Sequence, residues 1–166
     1  MLIVADVERV VMNVFTVSLF GHRKIDDIVQ LNDRLVAVIK ELMQTKAHIN
    51  FLVGRNGEFD EYAASVIKRI QKEFGKESSS MILVIPYTVS DIEYYEKYYD
   101  DIIVPDSIYN AHPKSAITLK NRWMIEQSEL VIVNVKRDSG GAYAAMKYAE
   151  KLNKKVINVS QVAKRG

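Results

Sequence analysis

Hydrophobic residues follow two patterns that alternate along this chain. Short apolar runs are separated by longer segments in which apolar residues return every three or four positions. The short runs are typical of buried strands, and the longer segments of helices that bury one face. Strands are predicted over 14–20, 49–53, 81–85, 102–104, 130–135 and 155–159, and helical segments over 28–42, 63–74, 91–99, 114–127 and 142–152. This alternation predicts an α/β fold, a single Rossmann-like three-layer α/β/α domain with a mainly parallel sheet.

The composition indicates one domain. With 166 residues, of which 48% are hydrophobic, the chain can bury a substantial core. No segment resembles a linker between two domains. We assign residues 14–160 to the domain, residues 1–13 to an N-terminal extension and residues 161–166 to a C-terminal tail.

Charge and residue usage argue against several classes of function. The 23 basic and 21 acidic residues leave a net charge of +2, which gives no excess that would favour an extended nucleic acid. There is no cysteine, and the histidines His22, His48 and His112 lack the spacing of metal ligands, so no metal is expected. The longest uncharged stretch, 10–21, is shorter than the roughly 20 residues of a membrane span, and no export signal is visible. We therefore expect a cytoplasmic protein without membrane contact.

Polar loops follow three of the predicted strands. Residues 21–24 follow the first strand, the glycine-containing segment 54–60 the second, and residues 136–141 the fifth. In parallel sheets of this kind, ligands bind at the carboxyl ends of the strands, where the strand order reverses. We expect the three loops to meet at one edge of the sheet.

The third loop contains the turn Ser139-Gly140-Gly141 at the start of a predicted helix. Glycine lets the backbone approach a ligand, and the N–H groups at a helix N-terminus favour an anion, most often a phosphate. The same glycines would also suit a tight connection with positive φ, and Ser139 could serve as the helix N-cap as well as an anion donor. The expected ligand is a small phosphorylated, nucleotide-like molecule, and no cofactor is assigned.

Charged residues near these loops are further candidates. Arg23 and Arg122 could each pair with phosphate oxygens, although either could instead form a surface ion pair. His22 is better suited to positioning its loop than to acting as a base. Asp60 is expected to begin the second helix, where it could cap N–H groups or accept bonds from ribose hydroxyls. Glu58 with Asp60 is a weaker candidate for a catalytic pair, since two close carboxylates need a cation or a shared proton.

Four segments resemble the SLOG superfamily, the Rossmannoid group that includes Smf/DprA, LOG and YpsA-type proteins. Residues 20–23 resemble its first loop, a glycine, a small or polar residue and an arginine. Residues 54–60 resemble the Gly-Gly-Ala-x-Gly-x-Asp loop, with Asp60 on the family's aspartate. Residues 121–128 resemble the segment Asn-Arg-x-Ile-x-x-x-Ser, and 139–149 the Ser-Gly turn and alanine-bearing helix of Smf/DprA.

This resemblance covers roughly residues 15–159 and implies the same Rossmann-like fold. With the strand-end loops, it implies a ligand-binding set made of Gly21, His22, Arg23, Gly54, Gly57, Asp60, Asn121, Arg122, Ser139, Gly140 and Gly141.

The superfamily includes DNA-binding proteins, nucleotide phosphoribohydrolases and sensors of nucleotide-derived ligands. The LOG hydrolases carry Pro-Gly-Gly-x-Gly-Thr-x-x-Glu, whereas residues 139–143 lack the Gly-Thr and the glutamate that follows. We therefore predict a protein that binds a nucleotide or nucleotide-derived ligand, as a sensor or regulatory module. A hydrolase of N-glycosidic bonds, with Glu58 and Asp60 as catalytic candidates, is one alternative. A single-stranded nucleic-acid-binding protein of Smf/DprA type, less favoured by the charge, is another.

Six of the nine tyrosines lie within residues 86–113. They could stack on a nucleobase, pack in the core or form a surface for self-association, the role in which such amphipathic rings are enriched. We predict a homodimer or higher oligomer. Light scattering at about 100 μM should give a mass above that of one chain, because a specific interface of standard size holds at that concentration, and a purely monomeric mass would contradict this.

Overall fold

The computed structural model describes residues 14–108 and 110–161. The assigned extension and residues 162–166 of the assigned tail lie outside the described residues, as does Tyr109. The elements in chain order are β1 (Val14–Gly21), α1 (Ile28–Thr45), β2 (His48–Val53), α2 (Glu58–Phe74), β3 (Ser79–Val84), α3 (Ile92–Tyr98), β4 (Asp101–Ile103), a 3₁₀ turn (Asp106–Ile108), α4 (Pro113–Glu126), β5 (Leu130–Asn134), α5 (Gly141–Lys151) and β6 (Lys155–Asn158).

The six strands form one parallel sheet in the order β4-β3-β2-β1-β5-β6. From β1 the chain first builds the sheet outward through β2, β3 and β4. It then crosses to the other side of β1 to add β5 and β6. The strand order therefore reverses between β1 and β5, and a crevice opens at their carboxyl ends. The predicted Rossmann-like α/β fold is confirmed.

The helices cover both faces of the sheet, because the strands are apolar on both sides. Alternate residues of β1 show the division: Val17 and Leu19 join a core cluster with α1 and α2, whereas Phe20 joins a second cluster with α4 and α5. Full burial of one such side chain contributes about 1.5–3 kcal/mol relative to exposure. Within 14–108 and 110–161, no helix is long and apolar enough to cross a membrane.

A small polar cluster attaches the end of α4 to the central strand. Ser18 lies in β1 on the α4 side, and its hydroxyl lies 2.9 Å from the carbonyl oxygen of Met124. The Ser128 hydroxyl lies 2.7 Å from the same carbonyl oxygen. Buried hydroxyls without partners would be costly, so these contacts favour one position of α4 on the sheet. This position brings the preceding turns of α4 to the carboxyl edge.

The end of β1 passes so close to α2 that only glycine fits. Phe59, in the first turn of α2, is fully buried, and its side chain lies directly against Gly21. A Cβ on Gly21 would lie 2.7 Å from the Phe59 Cβ and would collide with the ring. Gly21 is therefore required for the packing of α2 against β1, whether or not it contacts a ligand.

Replacement of Gly21 should accordingly cost stability. We expect Gly21→Ala to lower the free energy of unfolding by about 1–3 kcal/mol, as overpacking typically does. Gly141→Ala is the matched control, since a Cβ at Gly141 would meet nothing within 4 Å. That change should be neutral, or stabilising by up to about 1 kcal/mol through the loss of unfolded-state freedom. Urea denaturation measures the free energy of unfolding of both variants, and equal values would contradict the close packing of Gly21 against Phe59.

Candidate functional site

The loops after β1, β2 and β5 meet at one edge of the sheet, as predicted. They surround a cleft of about 250 Å³ at the point where the strand order reverses. The predicted site residues that line this cleft are Gly21, His22, Arg23, Asp60, Asn121, Gly140 and Gly141. Asn56 and Arg137 also line it and were not among the predicted residues.

Reciprocal hydrogen bonds join the β1–α1 loop to the start of α2. The backbone N–H of Glu58 donates to the carbonyl oxygen of Arg23 over 2.8 Å, and the N–H of Ile25 donates to the Glu58 carboxylate over 2.8 Å. Gly57 allows this approach, because a Cβ there would lie 2.6 Å from the Arg23 Cα. The structure thus gives Glu58 and Gly57 roles in loop packing, and neither lines the cleft.

His22 positions the β5–α5 loop. Its ring is largely buried, and Nε2 accepts a hydrogen bond of 3.0 Å from the N–H of Lys136. The N–H of Arg137 points to the same nitrogen over a longer distance of 3.4 Å. An accepting Nε2 requires a neutral ring with its proton on Nδ1. Burial, assisted by the positive charge of Arg137 and opposed by Asp26, lowers the pKa of His22 and favours that neutral form.

The glycine turn presents unpaired backbone N–H groups to the cleft. Gly140 has φ of 91° and is the N-cap of α5, with no side-chain capping bond. The first backbone bond of the helix runs from the Ala144 N–H to the Gly140 carbonyl, and no described residue accepts from the preceding N–H groups of Gly141 or Ala142. These groups and the helix dipole favour an anion. Of the two roles considered for Ser139, the N-cap position is held by Gly140 instead, and Ser139 lies outside the cleft lining.

Two arginines line the cleft: the predicted Arg23, and Arg137 rather than the predicted Arg122. Arg23 and Arg137 are exposed and form no ion pair within the described part of the chain. Arg122 lies elsewhere, with its guanidinium carbon 5.1 Å from the centre of the Tyr148 ring. The neighbouring Asn121 does line the cleft, and its Oδ1 is buried without a hydrogen-bond partner among the described residues. Asn121 therefore contributes a buried amide whose oxygen lacks a donor in this part of the chain.

Asp60 shapes the β2–α2 loop from within the helix. It was expected to begin α2, but the helix starts at Glu58 behind the N-cap Gly57, so Asp60 lies within the first turn. Its carboxylate reaches back to accept the N–H of Asn56 over 2.8 Å. Burial raises the pKa of Asp60, while the bond from Asn56 and the charge of Lys120 oppose that rise. Glu58 and Asp60 therefore bind different loops.

Lys120 is the charged group that sequence analysis missed. Lys120 is only 2% exposed, although its side chain ends in a charged ammonium group. A Cβ on Gly54 would lie 2.8 Å from Lys120 Nζ and 3.1 Å from Asp60 Oδ2, so these two groups approach each other beside Gly54. Burial lowers the pKa of Lys120 to about 8, although the negative charge of Asp60 opposes this.

A sequence signal for Lys120 was present. Ala116, Lys120 and Met124 recur every four residues and are all buried on one side of α4. A lysine within such an apolar stripe is unusual, since a buried ammonium must be compensated. The Lys120 side chain extends from α4, in one layer of helices, over the end of β2. It points towards Asp60 of α2, in the other layer.

The arrangement suits an anionic ligand. Arg23, Arg137 and the start of α5 supply donors, whereas the only acidic residue in the lining, Asp60, is close to Lys120. Guanidinium and backbone N–H groups in this combination bind phosphate well. Across the two described ranges, no group of three or more His, Asp or Glu side chains could hold a metal ion.

Protonation of His22 should make the fold sensitive to acid. Because the folded-state pKa lies below the ordinary value of 6.5, the unfolded chain takes up this proton first. The free energy of unfolding therefore falls as the pH drops from about 7.5 towards 5. His22→Gln retains an acceptor that cannot be protonated, so its free energy of unfolding should fall less over this range. Urea unfolding of the wild type and of His22→Gln at both pH values measures how far the free energy of unfolding falls in each. An equal fall in the two proteins would exclude His22 as the responsible group.

Solved structures of three proteins resemble this chain. DNA processing protein A from Streptococcus pneumoniae aligns with a TM-score of 0.60 and 16% identity over 86% of this chain and 49% of its own. DNA processing protein A from Helicobacter pylori, described for its single-stranded DNA binding mode, aligns with a TM-score of 0.59 and 14% identity over 89% of this chain and 66% of its own. The Moco carrier protein from Chlamydomonas rheinhardtii aligns with a TM-score of 0.51 and 18% identity over 88% of this chain and 76% of its own.

The chain spans about half the length of the Streptococcus pneumoniae protein. No family model matches it, and neither does any curated protein. At these identities the structural similarity establishes the fold alone. Its parallel six-stranded sheet is the Rossmann-like fold of the DprA and Moco carrier structures, which is the fold that the sequence resemblance implied.

Proposed function

We propose that the cleft binds a phosphorylated nucleotide or nucleotide-derived ligand, with the phosphate at the N-terminus of α5. The observation that carries this proposal is the convergence of unpaired donors: the first N–H groups of α5 open onto the same cleft as Arg23 and Arg137. Such donors stabilise negative charge through hydrogen bonds and through the dipole of the helix. Their position between β1 and β5 is also the usual ligand position in doubly wound sheets.

The size of the cleft suits part of a nucleotide. Ligand pockets typically measure about 300–1,000 Å³, and the cleft of about 250 Å³ is near the lower limit. A phosphate and its sugar match this volume better than a complete dinucleotide. Asp60, at the β2 side of the lining, offers a carboxylate that can accept hydrogen bonds from ribose hydroxyls.

Binding without turnover fits the two acidic residues better than catalysis does. The Glu58 carboxylate accepts the Ile25 N–H, and the Asp60 carboxylate accepts the Asn56 N–H beside the ammonium of Lys120. A general acid–base pair needs two groups that can both reach the reacting atoms. We therefore assign the protein a sensor or regulatory role, in which the bound ligand is the signal. Hydrolysis of an N-glycosidic bond remains the rival function.

Single-stranded DNA binding is a second candidate. It is favoured by the fold that this chain shares with the Helicobacter pylori protein, whose structure is described for that activity. The net charge of +2 provides little general attraction for a long polyanion. A mononucleotide should therefore compete with an oligonucleotide for the cleft if both bind through the same phosphate position.

Substitutions in the cleft should weaken phosphate binding. We expect Arg23→Ala to raise the dissociation constant for AMP about 10- to 100-fold, the usual loss for a charge-assisted hydrogen bond. A Cβ at Gly141 would meet nothing within 4 Å in the unliganded protein, and the larger side chain of Gly141→Val should block the approach of the phosphate to α5. Arg122→Ala is the matched control, because its guanidinium lies over Tyr148. Calorimetry measures the AMP affinity of all three variants. An equal loss of affinity in Arg122→Ala would contradict the proposed phosphate position.

The fate of the ligand distinguishes the sensor from the hydrolase. Chromatography of AMP after prolonged incubation with the wild type should recover it intact. Release of adenine that is abolished by Asp60→Asn or Glu58→Gln would overturn the sensor proposal and favour the hydrolase.

A further inference from the structure

A second cavity lies beside the cleft, between the first turn of α2 and α3. It measures about 420 Å³ and is lined by Arg55, Glu61, Tyr94, Tyr95, Tyr98 and Tyr99. We call it the tyrosine groove. No part of the proposed phosphate and ribose positions uses it.

The two cavities share one wall. Arg55 lines the tyrosine groove and the next residue, Asn56, lines the cleft. In the same way, Asp60 lines the cleft and Glu61 the groove. The β2–α2 loop and the first turn of α2 therefore separate the cavities by the width of one backbone segment. Arg55 and Asn56 are both exposed at this boundary.

The tyrosines of the groove have different structural roles. Tyr99 is buried and belongs to the core cluster, and Tyr98 is covered by Lys68, whose ammonium lies 3.7 Å from the ring centre. Tyr94, by contrast, is 69% exposed. Core packing accounts for Tyr99 and largely for Tyr98, and leaves the exposure of Tyr94 unexplained.

Tyr95 is held in position by Arg55 and Tyr94. Arg55 donates to its hydroxyl over 3.2 Å and lies over its ring at 5.4 Å from the centre. The ring of Tyr94 meets that of Tyr95 edge to face, with centres 5.4 Å apart. This groove therefore combines aromatic surface with a guanidinium donor and the carboxylate of Glu61. Aromatic rings bind the faces of nucleobases, and polar groups of both kinds match the donors and acceptors on base edges.

We propose that the tyrosine groove binds the nucleobase of the same ligand whose phosphate lies at the N-terminus of α5. This inference rests on the proposed function of the cleft. The ligand crosses the β2–α2 loop with its ribose near Asn56 and Asp60. Its base stacks on the exposed ring of Tyr94, and Tyr95, whose ring is nearly perpendicular to that of Tyr94, borders the base. The ligand class is then a nucleotide with an accessible base rather than a simple sugar phosphate.

A comparison of AMP with ribose 5-phosphate tests the base position separately from the phosphate position. In the wild type we expect AMP to bind about 10- to 100-fold more tightly, which is the range that one stacked base contributes. Tyr94→Ala should reduce this ratio to about threefold or less and leave the affinity for ribose 5-phosphate unchanged, because only the base contacts the ring. Tyr95→Leu, which retains an apolar side chain at a half-buried position, should reduce the ratio in the same direction.

Tyr87→Ala is the matched control, since Tyr87 is a tyrosine of comparable exposure, 51%, outside the groove lining. It should preserve the ratio. Equal affinities of the wild type for AMP and ribose 5-phosphate would overturn the base position and leave the phosphate position standing. Failure of both probes to bind would overturn both proposals. A variant at Tyr94 that reduces the oligomeric mass but keeps the ratio would identify the groove as a contact between copies and would also overturn the base position.

Discussion

The close contact between Gly21 and Phe59 is the constraint on which the candidate site depends. Because β1 ends in a residue without a side chain, the first turn of α2 can lie directly against it. That contact brings Glu58 within hydrogen-bonding distance of the following loop and directs Asp60 towards the β2–α2 loop. Two loops from neighbouring strands thus become one wall of the cleft, and its shape follows from backbone packing before any ligand is present.

Electrostatic compensation across the sheet edge supports the same wall. The ammonium of Lys120 comes from the layer of α4 and α5, and the carboxylate of Asp60 from the layer of α1 and α2. Burial disfavours the charged form of each group, as the opposite directions of their pKa shifts indicate. Their mutual attraction offsets part of this desolvation cost. Gly54 keeps the space between them open, so its role is again to permit an approach.

The fold was predictable because its signals extend over whole elements. The strand β5, for example, is buried at every position, and the glycine turn after it correctly predicted the start of α5. Single side chains were harder to place. Asn121 and Arg122 are neighbours in sequence, but one helical step of about 100° separates them, so only Asn121 lines the cleft. Lys120 was missed because the site was sought in the loops, whereas this residue reaches the edge from the buried side of a helix.

The glycine N-cap of α5 has a consequence for how the protein responds to a ligand. At many helix starts the side chain of a Ser, Thr, Asp or Asn N-cap bonds the first N–H groups, but the φ of 91° at Gly140 would strain any of these residues. Gly140 offers no such group, so the end of the helix lacks an internal partner. An anion in the cleft would complete the helix as its missing cap. That cap would lie beside the β5–α5 loop, which His22 already holds in place through the Lys136 N–H.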